Sequence, residues 1–185
     1  MSCKVLHVYD YHLSETMMWL KDSWESTEDI VEHHLAPVFH DAGAFWKYPH
    51  AEGFGFSSPY PPSSWARLKS KVLQHRMEGA LEDYMAKNGI RIIHFHFGHL
   101  AVRFESLISR LSADCLVSLY GFDYSYLPKN DPSISGAYRR IAGYGARFIA
   151  EGGYSRNLLV GFGIPEERIH VIQMFFSRSE VPAYS

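Results

Sequence analysis

Three histidines lie close together in one apolar segment, His94-Phe95-His96-Phe97-Gly98-His99. Successive side chains of a β-strand point to opposite faces, so we expect His94 and His96 to share a face. Two such imidazoles can bind a metal ion with His99 as a third ligand, which would suit a metal-dependent hydrolase. No carboxylate or cysteine at ligand spacing accompanies them. The sequence therefore favours histidines hydrogen-bonded to their neighbours, and we expect no metal.

A second candidate is the segment Tyr120-Gly121-Phe122-Asp123, which follows an apolar run. Gly121 would let a ligand approach the backbone closely, because glycine has no side chain. The Asp123 carboxylate can accept hydrogen bonds from sugar hydroxyls, or it can cap a following helix. Both interpretations stay open, since the segment is also a common turn.

A third candidate joins a strand to a helix, in Ala150-Glu151-Gly152-Gly153-Tyr154-Ser155. The first N–H groups of a helix can bind an anion. Glu151 would repel a phosphate placed there, so the segment favours a neutral polyol or a cation. A tight turn with an exposed glutamate fits equally well.

Three familiar motifs are missing from the sequence. No G-x-G-x-x-G follows the first apolar run, and there is neither a G-x-x-x-x-G-K-[ST] loop nor a G-x-S-x-G elbow. A dinucleotide-dependent dehydrogenase and a P-loop NTPase are therefore disfavoured.

The elements that must position these residues follow from the apolar periodicity. Short runs that are apolar on both faces alternate with amphipathic segments, which is typical of a parallel sheet covered by helices. With right-handed crossovers this order predicts a Rossmann-like, doubly wound α/β fold with a mostly parallel sheet and helices on both faces. Strands are predicted at 4–9, 30–38, 91–97, 114–120, 147–150 and 168–173, and helices at 17–24, 65–88, 100–111, 133–143 and 154–161.

Ligands of such folds bind at the carboxyl ends of the strands. That rule selects residues 10–16, 98–99, 121–125 and 151–154. Residues 41–64, rich in glycine, proline and aromatic side chains, are predicted to form a long loop.

The bulk properties limit the partners and the compartment. A chain of 185 residues suggests one domain, and a net charge of −2 gives no reason to expect nucleic acid. We expect Cys3 and Cys115 to be buried free thiols in a reducing compartment. No apolar run has the length of a signal peptide or a membrane span, so we expect a soluble, cytoplasmic chain. A peripheral contact with the inner face of a membrane stays open.

Four segments resemble one family in order and spacing. Residues 92–98 (IIHFHFG), 116–125 (LVSLYGFDYS), 147–172 and 13–17 (LSETM) are similar to motifs of retaining, family-4-type glycosyltransferases, in particular a bacterial surface-polysaccharide subgroup of the colanic-acid kind. The resemblance implies one half of a GT-B architecture. Residues 1–185 would be the N-terminal, acceptor-side domain, and the C-terminal nucleotide-sugar domain with its E-x7-E motif would be absent from this chain.

The resemblance also carries over site residues. Tyr120 and Asp123 would lie at the reacting sugar and are the candidate catalytic residues, although the family has a histidine where this chain has Tyr120. Glu151 replaces a family serine, and residues 174–176 replace a Gly-Val-Asp link. The residues expected to bind substrate are Ser14, Glu15, Thr16, His96, Gly98, Gly121 and Glu151.

The implied function is transfer of a sugar from a nucleotide sugar to a saccharide or lipid-linked acceptor in polysaccharide biosynthesis. It needs no cofactor or metal, and a donor-binding domain would be supplied in cis or in trans, so the isolated chain is expected to be inactive. The alternative is a stand-alone binding module or a subunit that needs a partner chain, suggested by the aromatic side chains of residues 41–64 and 174–176.

Overall fold

The computed structural model describes residues 3–11, 18–39 and 64–173. Several predicted features lie outside these ranges, namely most of the aromatic loop at 41–64, the segment 174–176, and Ser14, Glu15 and Thr16. The helix predicted from residue 17 is described from residue 18 onward.

Six parallel strands form one sheet in the order β2-β1-β3-β4-β5-β6. This confirms the predicted Rossmann-like α/β fold. The chain places β2 on one side of β1 and every later strand on the other side, so the order reverses between β1 and β3. The strands are β1 (Cys3–Tyr11), β2 (Val31–Phe39), β3 (Ile92–His96), β4 (Asp114–Leu119), β5 (Arg147–Ala150) and β6 (Ile169–Val171).

Eight α-helices accompany the sheet in the described part of the chain. They are α1 (Met18–Glu25), α2 (Ser64–Asn88), α3 (Gly98–Arg103), α4 (Glu105–Ile108), α5 (Gly121–Ser125), α6 (Leu127–Asn130), α7 (Ser133–Gly143) and α8 (Gly153–Gly161). The single helix predicted at 100–111 is in fact two helices that meet at Phe104. The two short helices at 121–130 were not predicted.

One face of the sheet carries the larger apolar core. Alternation along the strands brings Val8, Phe95, Val117 and Phe148 to this face, where all four are fully buried. Helices α2, α3, α7 and α8 cover them with leucine and isoleucine side chains, namely Leu81, Leu100, Ile141 and Leu159.

The opposite face is more polar and carries α1. There Leu20 and Trp24 of α1 pack against Tyr9 and Leu35 of the first two strands. The next strands present His94, His96 and Ser118 to this face, beside His7 of β1. The buried histidines His7, His33 and His96 thus lie together on this face, near β1 and β3, where the strand order reverses.

The two cysteines lie in different environments. Cys115 is buried, and burial raises the pKa of its thiol to about 12. Cys3 is exposed, which corrects the expectation of two buried thiols. It is the first residue of β1 and lies before the covered part of that strand. None of the described helices is both long and apolar enough to cross a membrane.

Candidate functional site

A cavity of about 200 Å³ opens where β3, β4 and β5 end, on the face that carries α1. We call it the carboxyl-end cavity. Its walls combine aromatic and aliphatic side chains with a few hydrogen-bonding groups, which is the usual composition of a small-molecule site. Its lining includes Trp19, His94, His96, Ser118, Tyr120, Ile149 and Glu151.

Tyr120 joins the cavity wall to the buried interior. Its ring packs edge-on against Trp19 and Phe97, with centroids 4.9 Å and 4.8 Å away. Its hydroxyl lies 3.0 Å from Nδ1 of His96. Burial raises the pKa of the Tyr120 phenol far above its ordinary value, so the group stays protonated at neutral pH. It can donate or accept a hydrogen bond, but it cannot act as a phenolate base.

Asp123 is fully buried beside the cavity and is not part of its lining. Its Oδ2 accepts a hydrogen bond of 3.0 Å from the backbone N–H of Tyr120, which fixes the start of α5. Of the two roles left open by the sequence, the structure therefore places this carboxylate as a helix cap. Its catalytic role stays a prediction.

His99 connects Asp123 to the first strand. Its Nε2 lies 2.6 Å from Oδ2 of Asp10, and its Nδ1 lies 3.7 Å from Oδ1 of Asp123. Burial disfavours the charged imidazole, but the two carboxylates outweigh burial and raise the pKa of His99 to about 9. His99 is therefore a cation at neutral pH, held between Asp10 and Asp123. It does not join His94 and His96, so the alternative in which these three residues bind one metal ion does not match the geometry.

Glu151 lines the cavity, and its role in binding substrate stays a prediction. Its Oε2 accepts a hydrogen bond of 2.8 Å from the Tyr124 hydroxyl. Burial, together with this carboxylate, raises the pKa of Tyr124 to about 12. Glu151 is only partly exposed, and Gly121 begins α5 nearby. The structure thus brings His96, Tyr120, Gly121 and Glu151 to one region.

Beneath the cavity a chain of hydrogen bonds crosses three strands. Nδ1 of His96 lies 3.0 Å from the Tyr120 hydroxyl, and its Nε2 lies 2.9 Å from Nδ1 of His7. Nε2 of His7 lies 2.9 Å from Nδ1 of His33, whose Nε2 lies 3.0 Å from Oγ1 of Thr27. The chain satisfies both nitrogens of all three buried rings.

These imidazoles are neutral. Burial, reinforced by the neighbouring histidines, holds the pKa values of His7 and His96 well below 6.5. Burial lowers that of His94 to about 3, and it lowers the pKa of His33 as well. Protonating any of these rings would be unfavourable, because no carboxylate of the described residues lies close enough to compensate for the buried positive charge.

The sequence did not identify His7 or His33 as site residues. Each sits in an apolar run that predicts a strand, and neither belongs to a recognisable motif. The available signal was register: parallel pairing places His7 directly beside His94. That pairing follows only once β1 and β3 are known to be neighbours.

Gly98 and the residue before it shape the entrance to α3. A Cβ on Gly98 would lie 2.2 Å from the Tyr138 hydroxyl oxygen and 2.5 Å from Cδ2 of Leu119, so only glycine fits. Phe97 has a φ of 82°, a conformation that is strained for a bulky residue. This bend turns the chain at the end of β3, where Phe97 contacts Tyr120 and His99.

Comparison with known proteins shows the fold. Neither a protein-family model nor a curated protein sequence matches the chain. Solved structures do match, among them a UDP-N-acetylglucosamine 2-epimerase from Rickettsia bellii, with a TM-score of 0.63 and 12% identity over 92% of this chain and 44% of that one. The chain is therefore similar in fold to one half of that enzyme.

Two further structures give the same result. A sucrose-phosphate synthase from Thermosynechococcus elongatus matches with a TM-score of 0.64 and 12% identity over 92% of this chain and 48% of that one. Anabaena HepE, solved with UDP and glucose, matches with a TM-score of 0.63 and 15% identity over 94% of this chain and 45% of that one. The chain spans less than half the length of each, and its fold is one Rossmann-like half of the GT-B architecture.

Proposed function

We propose that this chain is the acceptor-binding half of a glycosyltransferase that moves a sugar from a nucleotide sugar to a saccharide or lipid-linked acceptor, in the synthesis of a surface polysaccharide. The carboxyl-end cavity carries the proposal. A sugar ring has apolar C–H faces and polar hydroxyl edges. Trp19 and Ile149 offer apolar walls to the first, while Tyr120 and Glu151 offer hydrogen bonds to the second.

The comparisons support a sugar-nucleotide enzyme in the same way that the motifs do. HepE was solved with UDP and glucose, and the epimerase is named for a UDP-sugar. Because this chain matches less than half of each, a second half would supply the nucleotide-sugar site, in cis or in trans. A lipid-linked acceptor would bring the complex to the inner face of a membrane, in the cytoplasm.

Within this proposal Tyr120 touches the acceptor or the transferred sugar, where the resembling family has a histidine. Its neutral phenol would orient a hydroxyl through one hydrogen bond. Asp123 is a positioning residue, because it holds the backbone of Tyr120 and faces His99. No side chain is assigned as a general base.

The test is a binding titration of the chain with mono- and oligosaccharides, and separately with UDP-sugars, by calorimetry and ligand-observed NMR. We expect weak saccharide binding and hardly any nucleotide-sugar binding. Tyr120→Phe removes a hydroxyl, and Glu151→Gln replaces a charged acceptor with a neutral amide; each should weaken saccharide binding about tenfold. Glu166→Gln serves as the control, because Glu166 is exposed and pairs with Arg156 away from the cavity.

Three results would count against the proposal. Micromolar binding of a UDP-sugar by this chain alone would overturn the division of labour between two halves. Saccharide binding that neither cavity variant weakens would show that the cavity is not the acceptor site. Saccharide binding with no transfer activity in the presence of any donor half would favour a binding module.

A further inference from the structure

The histidines under the cavity form a compact group. It includes His94, which is not part of the chain of hydrogen bonds through His96, His7 and His33. One ring nitrogen from each of His7, His94 and His96 lies within 4.8 Å of the others. We call these three residues the histidine trio. His7 and His94 are register partners on adjacent parallel strands, and His96 follows His94 on the same face. His94 and His96 also line the carboxyl-end cavity.

We propose that the histidine trio binds one divalent transition metal of the zinc class, with the remaining coordination position facing the carboxyl-end cavity. Three imidazoles with one further position open to a ligand are a known arrangement for zinc, and imidazole also suits cobalt, nickel and copper. This inference does not depend on the proposed sugar-transfer function, and it replaces the weaker expectation that no metal is bound.

Outer hydrogen bonds support the site, because each ring has a partner on a nitrogen that can face away from the metal. His7 Nε2 meets His33, His96 Nδ1 meets Tyr120, and His94 Nε2 lies 2.7 Å from the Ser118 hydroxyl. Such partners fix the ring orientation and the tautomer of a metal-binding histidine. Thr27 extends this support by one more step, through His33.

Only small movements separate the present geometry from coordination. His7 Nδ1 and His96 Nε2 now share a hydrogen bond of 2.9 Å. Two nitrogens on a tetrahedral zinc lie about 3.3 Å apart, given zinc–nitrogen bonds of about 2.0–2.1 Å. The pair would separate slightly, and the ligating nitrogen of His94, which lies within 4.8 Å of both, would move closer. His96 would then carry its proton on Nδ1 and donate a hydrogen bond to the Tyr120 oxygen.

A metal in this position would contact molecules bound in the cavity. Its remaining position would hold a water molecule or an oxygen of a hydroxyl-bearing ligand, which it would polarise as a Lewis acid. The site differs from the set suggested by the sequence, because His99 pairs with Asp10 and Asp123 whereas His7 comes from another strand.

The experiment uses the chain without a polyhistidine tag, stripped with a chelator and dialysed against metal-free buffer. Zinc is titrated by calorimetry at pH 7.5, and cobalt is added to record its visible absorption. We expect one tight site per chain and the cobalt bands of nitrogen coordination. His94→Ala should lower zinc affinity at least about tenfold and abolish those bands. His75→Ala and His170→Ala should change neither, because both residues are exposed and outside the trio.

Two further variants separate coordination from folding. Tyr120→Phe removes an outer partner and should lower zinc affinity about 10–100-fold without removing a ligand. His7→Gln should abolish the site; if it fails to fold, the decision falls to His94→Ala, whose side chain is only partly buried and whose fold is checked by circular dichroism. Zinc binding that His94→Ala leaves unchanged, or no stoichiometric binding by the wild type, would overturn the proposal and leave a purely hydrogen-bonded group of imidazoles.

Discussion

At the scale of single residues, this molecule separates charged from neutral histidines over a short distance. His99 has two carboxylate neighbours and is a cation, whereas the histidine trio has none and is neutral. Both groups are largely buried, so the neighbours decide the outcome. The same residue type therefore serves as an ion-pair partner in α3 and, three residues earlier at the end of β3, as a neutral hydrogen-bonding ring.

The contact between His99 and Asp10 should make stability depend on pH. The folded pKa of His99, about 9, lies above its ordinary value of 6.5, so its contribution is complete below pH 6.5 and is lost as the pH rises through 9. We expect His99 to contribute about 1–2 kcal/mol to the free energy of unfolding. This value allows for screening by water, since the His99 side chain is about one-third exposed.

The measurement is urea unfolding of the wild type and of Asp10→Asn between pH 6 and pH 10. The difference in the free energy of unfolding between the two proteins should be largest at pH 6 and shrink towards pH 10. A difference that stays constant over this range would show that the imidazole does not titrate as a paired cation. Asp114→Asn is the control, because Asp114 is an exposed aspartate.

At the scale of elements, the regular parts could be predicted closely. The run of residues 147–150 matches β5, and 133–143 matches α7, because apolar spacing alone fixes such segments. The break at Phe104 could not be predicted, since both sides have helical periodicity. Helices α5 and α6 were missed because they are only five and four residues long. Their positions depend on tertiary contacts, such as the hydrogen bond from Tyr138 to the Asp123 carbonyl.

For the site, the sequence identified the strand ends but not how their residues combine. Glu151 was expected near a ligand because it follows a strand, and Tyr120 and His96 because of the family resemblance. All three line the cavity. The histidine trio required knowing that β1 lies beside β3, which depends on sheet order rather than on local pattern.

The close packing at the start of α3 should tolerate no side chain at Gly98. Because glycine has no Cβ, α3 lies close to Leu119 of β4 and Tyr138 of α7 at this position. Gly98→Ala would push these two side chains away and strain the hydrogen bond from Tyr138 to α5. We expect a loss of about 1–3 kcal/mol in the free energy of unfolding.

Gly79→Ala is the matched control in α2. Nothing lies within 4 Å of a Cβ at Gly79, so alanine should stabilise the helix there by about 0.5–1 kcal/mol. Both variants are compared by chemical denaturation. Equal effects of the two substitutions would contradict the close packing at the start of α3.

At the scale of the whole molecule, the two faces of the sheet differ in what they bury. The face covered by α2, α3, α7 and α8 holds a continuous apolar core that runs from β2 to β6. The face with α1 holds a smaller apolar cluster together with the histidines and the cavity. The larger apolar core thus lies on one side of the sheet, and the cavity lies on the other, at the carboxyl ends where α/β folds bind ligands.

This arrangement predicts an order of amide hydrogen exchange across the sheet. Strands β3 and β4 have a hydrogen-bonded neighbour on each side and contribute fully buried residues to the larger core. Strand β6 is a three-residue edge with an exposed Val171 and His170. Exchange at edges occurs by local opening, whereas exchange in the centre needs global unfolding.

Mass-spectrometric exchange at neutral pH should therefore show β3 and β4 peptides exchanging at least about tenfold more slowly than β6 peptides, a difference of about 1.4 kcal/mol or more in opening free energy. The measured rates are divided by the intrinsic exchange rate of each peptide, so that differences in sequence do not affect the comparison. Zinc, if the histidine trio binds it, should slow β1 and β3 further and leave β6 unchanged, because the ligands lie on those two strands. Protection of β6 equal to that of β3 would mean that the sheet opens only as one unit.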